Sequence, residues 1–191
     1  MKAPAIPLAL ALALALALLQ PVAATAQGGD AVAEARAERL DDLHGDLARS
    51  ASPGEAERLA TLIWQLWLRA PDAEAQALMD RALERRRAGD YDAAIAVLDE
   101  LTAGWPGYAE GWNQRATLFF LQNRYGPSLA DVAQVLALEP RHFGALAGRA
   151  IILFRQGRDD DANRALLEAL RVHPWLAERG LLDPGYEEQP L

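Results

Sequence analysis

Along this chain apolar residues recur three or four positions apart, and that pattern is itself repeated. In the stretch from Ala109 to His142, Trp112, Ala116 and Phe119 fall on one face of a first helix, and Ser128, Val132 and Val135 on one face of a second. The arrangement returns 34 residues to either side: Leu78, Trp112 and Leu146 are in phase, as are Ala82, Ala116 and Ala150; Ala94, Ser128 and Ala162; and Leu98, Val132 and Leu166. Pro106, Pro140 and Pro174 close the three units at the same interval. A period of this length with helical patterning inside it marks a helix-turn-helix array, with units at 75–108, 109–142 and 143–176.

The residue types suit that architecture. Small side chains at the eighth and twentieth places let two helices approach closely, while large ones fill the groove beside them. Gly89, Asn123 and Gly157 stand where the chain must turn through a left-handed conformation, which glycine and asparagine adopt most cheaply. Pro127 fits the first turn of a second helix, and the recurring prolines stop one.

A large apolar residue fourth, a small one eighth and twentieth, and proline thirty-second resemble the tetratricopeptide repeat (TPR), over about residues 40–176. The blocks EGWNQRATLFF and LEPRHFGALAG are similar to those of small exported proteobacterial members. The resemblance implies an all-α solenoid of three full repeats behind a degenerate one at 40–74. It also implies a non-catalytic scaffold whose first helices line a concave groove for an extended peptide or a partner helix. Carried over by place, the lining comprises Met79, Asp80 and Leu83; Asn113, Gln114, Thr117, Phe120 and Leu121; and Gly144, Ala147, Gly148, Ile151 and Arg155. It has no lysine, the residue with which chaperone-binding members hold a terminal carboxylate. Arg85 stands at the eleventh place of the first repeat, where the family has an aromatic.

In this groove Asn113 and Gln114 each offer a donor and an acceptor to a peptide backbone. Gly144, Ala147 and Gly148 leave a shallow stretch where a chain can lie close to the helix.

The N-terminus has a different character. Lys2 precedes an unbroken run of twelve Leu and Ala, Leu8 to Leu19, and Ala24-Thr25-Ala26 has the form of a cleavage site. Twelve residues rise only about 18 Å as a helix, short of a hydrocarbon core about 30 Å thick. A signal peptide of residues 1–26, cut after Ala26, is expected in preference to a retained anchor, with the mature chain periplasmic or secreted. Cleavage removes Lys2, the only lysine, and leaves 18 Arg against 27 acidic residues, a formal charge of −9. Such a chain offers no basic footprint for nucleic acid or anionic lipid. It has no cysteine, hence neither disulfides nor thiolate metal sites.

In the N-terminal stretch (residues 27–39) a short polar lead, Gln27 to Asp30, is followed by Ala33, Ala37, Leu40, Leu43 and Leu47, which mark a helix running to about Ser50, and Ser52-Pro53-Gly54-Glu55 reads as a capping box opening another. Trp64 and Trp67 on that second helix are expected to pack against the first full repeat. Arg81, Arg115 and Arg149 form a ladder at the seventh place; Asp131 is at hand for Arg115, and the equivalent places for the others are Val97 and Ala165. Arg85 to Arg87 and Asp159 to Asp161 sit where helix ends favour their charges. His44, His142 and His173 have no ligand-like spacing, so no metal or other cofactor is expected. The catalytic signatures are absent. Beyond Pro174, Leu181 and Leu182 are expected to fold back over the last apolar face. The alternatives to a peptide-binding scaffold are self-association or an envelope-complex subunit using Trp64, Trp67 or Leu181 and Leu182 of the C-terminal tail (residues 177–191), and, third, an enzyme of unfamiliar type.

Overall fold

The computed structural model describes residues 23–186. The chain divides into two compact units, Met1–Arg39 and Leu40–Leu191. Within the first, the described residues 23–39 are the opening of helix α1 (Ala23–Ala48), which therefore takes in Ala26 and the expected polar lead. The Leu8–Leu19 run lies outside the described residues.

The second unit is helical throughout. Following the end of α1 are α2 (Pro53–Trp67), α3 (Ala73–Arg87), α4 (Tyr91–Gly104), α5 (Ala109–Leu121), α6 (Tyr125–Leu138), α7 (Phe143–Arg155) and α8 (Asp159–Val172), then a 3-10 turn, Ala177–Leu181. Helices pair as α3 with α4, α5 with α6 and α7 with α8, and successive pairs join through α4 against α5 and α6 against α7. Among the described residues there is no strand.

One turn, used three times, makes the pairs. Gly89, Asn123 and Gly157 have φ of 76°, 58° and 70°. This lets the next residue's amide reach back over the helix end: Asp90 N–H donates to Arg85 O, Arg124 to Phe119 and Arg158 to Leu153. The small residues are buried where the paired helices cross: Ala82 with Ala94, Ala116 with Ser128, and Ala150 with Ala162. Ser128 keeps its hydroxyl there by donating it to Ala116 O at 2.8 Å. Trp112 packs against the cluster of Ala116, Val132, Val135 and Ala145, and its indole N–H donates to Pro106 O. In the first full repeat Arg85 is exposed and 3.8 Å from Asp90, and Phe119 of the next repeat fills that core instead.

The arginine ladder is paired at every step, though not always as expected. Arg115 forks onto both carboxylate oxygens of buried Asp131 at 2.8 Å and also reaches Asp99. Arg81 and Arg149 find Glu100 and Glu168, which share one later place in the second helix rather than the places of Val97 and Ala165.

Departures occur at both ends. Ser52 accepts the Glu55 amide, but the Glu55 carboxylate reaches Ala51 N–H, one residue earlier than the capping box predicts. Leu40, Leu43 and Leu47 of α1 and Ala56, Ala60, Ile63 and Trp67 of α2 form a core that also takes in Phe143, with Val172 and Leu176 at its edge. The expectation that Trp64 and Trp67 pack against the first full repeat is not met; their ring partners are His142 and Phe143, where the second repeat passes into the third. The reason is geometric: α2 lies across the inner side of the array, and its large rings meet the helix start they reach.

The tail folds back as far as it is described. Leu182 packs on the α7–α8 core, Asp183 N–H donates to Asn163 Oδ1, and Tyr186 Oη donates to Asp160 O. Leu181 remains 52% exposed.

Candidate functional site

With α2 across it, the inner face of the repeats becomes a walled hollow of about 670 Å³. One wall is α2, through Pro53, Glu57, Ala60, Thr61 and Trp64. Opposite stand Asn113, Thr117 and Phe120 of α5 and Gly144, Ala147, Gly148 and Ile151 of α7, with Ala177 and Glu178 of the tail at one end.

Seven of the residues carried over from the repeat pattern therefore meet: Asn113, Thr117, Phe120, Gly144, Ala147, Gly148 and Ile151. Others do not join them. Met79 is wholly buried in the α3–α4 core, and Leu83 packs at that core's edge. Gln114 is buried, and both ends of its amide are used inside the protein. Leu121 is exposed at the end of α5, and Asp80 is exposed and accepts from Gln76. Arg155 lines a neighbouring smaller depression with Ile151, Phe154, Glu178 and Leu181.

A buried polar knot fixes the floor beneath α2. Glu110 is 1% exposed, and its carboxylate accepts from Asn113 Nδ2, from Gln114 Nε2 and, at 3.1 Å, from His142 Nε2. His142 Nδ1 accepts the Ala145 amide at 3.1 Å, capping α7. A nitrogen that accepts carries no proton, so the ring proton is on Nε2 and points at Glu110. The Gln114 oxygen in turn accepts from Arg86 at 2.8 Å. Donors thus surround a carboxylate that would otherwise be costly to bury.

The knot is where α2 is fastened. Trp67 stacks on His142 with ring centres 3.9 Å apart and planes within 9°. Trp64 stands edge-on to His142 and Phe143, over Gly144. Only glycine fits there, because a Cβ on residue 144 would come within 2.9 Å of the Trp64 ring. His44 lies against Trp67, and His173 against Phe143, so every histidine of the chain belongs to this aromatic staple. Burial holds His44 down at about 4, helped by the positive charge of Arg141 and by His142, with Asp41 opposing. Burial likewise lowers His173.

The contribution of α2 to the site was not readable from repeat register, because nothing in a 34-residue period says where a degenerate flanking hairpin lies. The acid–histidine pair left a faint signal: Glu110 and His142 occupy the second place and the last place of one repeat.

Paired helices in register around small-residue contacts define a helical-repeat scaffold. A scan against protein-family profiles finds no match. Comparison with curated proteins finds a TPR repeat-containing protein of Rhizobium etli that is 39% identical over 163 residues, covering 81% of this chain and 78% of the relative. The chain belongs to the tetratricopeptide repeat family. No helix among the described residues is long and apolar enough to cross a membrane, and none of their His, Asp and Glu groups is disposed to hold a metal ion.

Proposed function

We propose that the protein is a non-catalytic scaffold of the bacterial cell envelope that holds a peptide or partner segment in the hollow between α2 and the inner helices α5 and α7. One observation carries the reading: seven of the residues that the repeat pattern assigns to a peptide groove come together along this hollow. The walls are mostly apolar, with a few polar groups set among them, as in pockets that bury part of a guest. The envelope assignment rests on Lys2, the Leu8–Leu19 run and the Ala24–Ala26 site.

The alternative of association through end faces loses most of the residues it named. Trp67 is 4% exposed, Trp64 covers Gly144, and Leu182 packs on the third hairpin, leaving Leu181 alone free. The test is recovery of a partner from envelope extract with three variants. Gly148→Leu and Phe120→Ala should lose a polypeptide that Ala133→Leu, on the exposed face of α6, retains. Equal recovery by all three would refute binding in the hollow.

A further inference from the structure

Five of the side-chain donors around the hollow are already committed, leaving the Trp64 indole N–H and the ring N–H of His173. Thr61 donates its hydroxyl to Glu57 O at 2.8 Å, Thr117 to Asn113 O at 2.9 Å and Ser128 to Ala116 O at 2.8 Å. A hydroxyl has a single proton, so each of these oxygens has only lone pairs left. Asn113 is 6% exposed and turns its Nδ2 to Glu110, and its Oδ1 accepts nothing from the protein. Trp175 Nε1 is spent on Ser50 O.

Two carboxylates complete the lining, Glu57 on α2 and Glu178 on the tail, and neither has an ion-pair or hydrogen-bond partner for its carboxylate among the described residues. Among the described residues no lysine or arginine lines the hollow. The amide end of α7, which would otherwise favour an anion, is closed: His142 takes the Ala145 N–H, and the Trp64 ring lies over Gly144. Apolar surface from Trp64, Phe120, Ala147 and Ile151 makes up the rest.

We infer that the hollow is shaped for a partner segment presenting a Lys or Arg side chain beside a large apolar one, the cation meeting Glu57, Glu178 and Asn113 Oδ1 while the apolar group enters between Trp64, Phe120 and Gly148. This rests on the scaffold reading above. It adds the sign of the guest's charge, which follows from two carboxylates and a set of spare acceptors in a lining where most donors are used up.

The test is fluorescence anisotropy on the full mature chain with two labelled octapeptides, Gly-Ser-Arg-Phe-Leu-Arg-Gly-Ser and its counterpart with Glu for each Arg. The Arg peptide should bind at least about tenfold more tightly, and Glu57→Gln with Glu178→Gln should weaken it about tenfold. A matched loss of charge away from the hollow, Glu84→Gln with Asp159→Asn, should leave it within about twofold. The inference is overturned by equal binding of the two peptides, by equal loss in both double variants, or by binding of neither peptide. If a natural partner is captured at the hollow and its captured segment is acidic, this chemistry fails while the scaffold reading stands. If nothing is captured there, the scaffold reading itself fails.

Discussion

Glu110 at the start of one repeat and His142 at the end of the same repeat meet in the interior, Oε2 to Nε2 at 3.1 Å, beneath the stacked ring of Trp67. The pair ties the inner helix α5 to the capped start of α7 and gives α2 a flat surface on which to fasten. Shape and chemistry of the hollow both follow from that junction.

Breaking the pair from either side should therefore be expensive. Glu110→Gln turns an amide group toward donors, and His142→Ala removes a cap, a stack and a donor; each should cost about 2–4 kcal/mol in chemical denaturation. The double variant should show a coupling of about 1–2 kcal/mol. Additive losses would mean that the residues act separately.

Two glycines one helical turn apart should behave oppositely. Gly144→Ala forces Trp64 to move and should destabilise by about 1–3 kcal/mol. Gly148→Ala has open space around the added Cβ and sits inside α7, so it should be neutral or stabilising by up to about 1 kcal/mol. Thermal unfolding of the two variants separates them; similar shifts would contradict the placement of α2.

The arginine ladder should be unequal. Arg115→Met strands Asp131, whose side chain is 6% exposed, and should lose about 3 kcal/mol. Arg81→Met and Arg149→Met break better-exposed pairs and should lose at most about 1 kcal/mol each. Denaturant midpoints for the three variants check the ranking.

Acid should loosen the staple. His44 is 3% exposed with neither ring nitrogen partnered, and it takes up a proton in the folded protein only near pH 4, against 6.5 when unfolded. Between those values the unfolded chain binds the extra proton, so the stability due to neutral His44 is complete above pH 6.5 and declines as pH falls toward 4. Arg141 and His142 add to the penalty and Asp41 relieves part of it. His44→Phe should reduce the loss of Tm between pH 7 and pH 4.5; an unchanged pH profile would show that His44 ionises freely.

The proposed export has a check of its own. Mass spectrometry of the protein recovered from the periplasm should find Gln27 as the first residue. An intact N-terminus would favour the retained anchor.

The hairpins were legible in the sequence because each is encoded locally: small residues where helices cross, Gly89, Asn123 and Gly157 at the turns, and proline after the second helix. The α5 and α7 lining followed from the same register. Gln114 was misleading because a polar residue at a groove place reads alike whether it faces a guest or a buried carboxylate, and Glu110 could not be recognised as buried without its partners. Glu57 was invisible as a site residue, and Trp64 reads from the sequence as cap packing or an end-face contact, since α2 reaches the hollow only through tertiary packing against His142 and Phe143.

The most direct measurement places a photo-cross-linkable residue at Thr117 or Ile151, inside the hollow, and at Gln134, on the exposed side of α6, in the exported protein in cells. A single polypeptide captured from the two inner positions and not from Gln134, and lost with Gly148→Leu, is the predicted result. Capture from Gln134 alone, or from inner positions irrespective of Gly148→Leu, would contradict a guest site between α2 and the repeats.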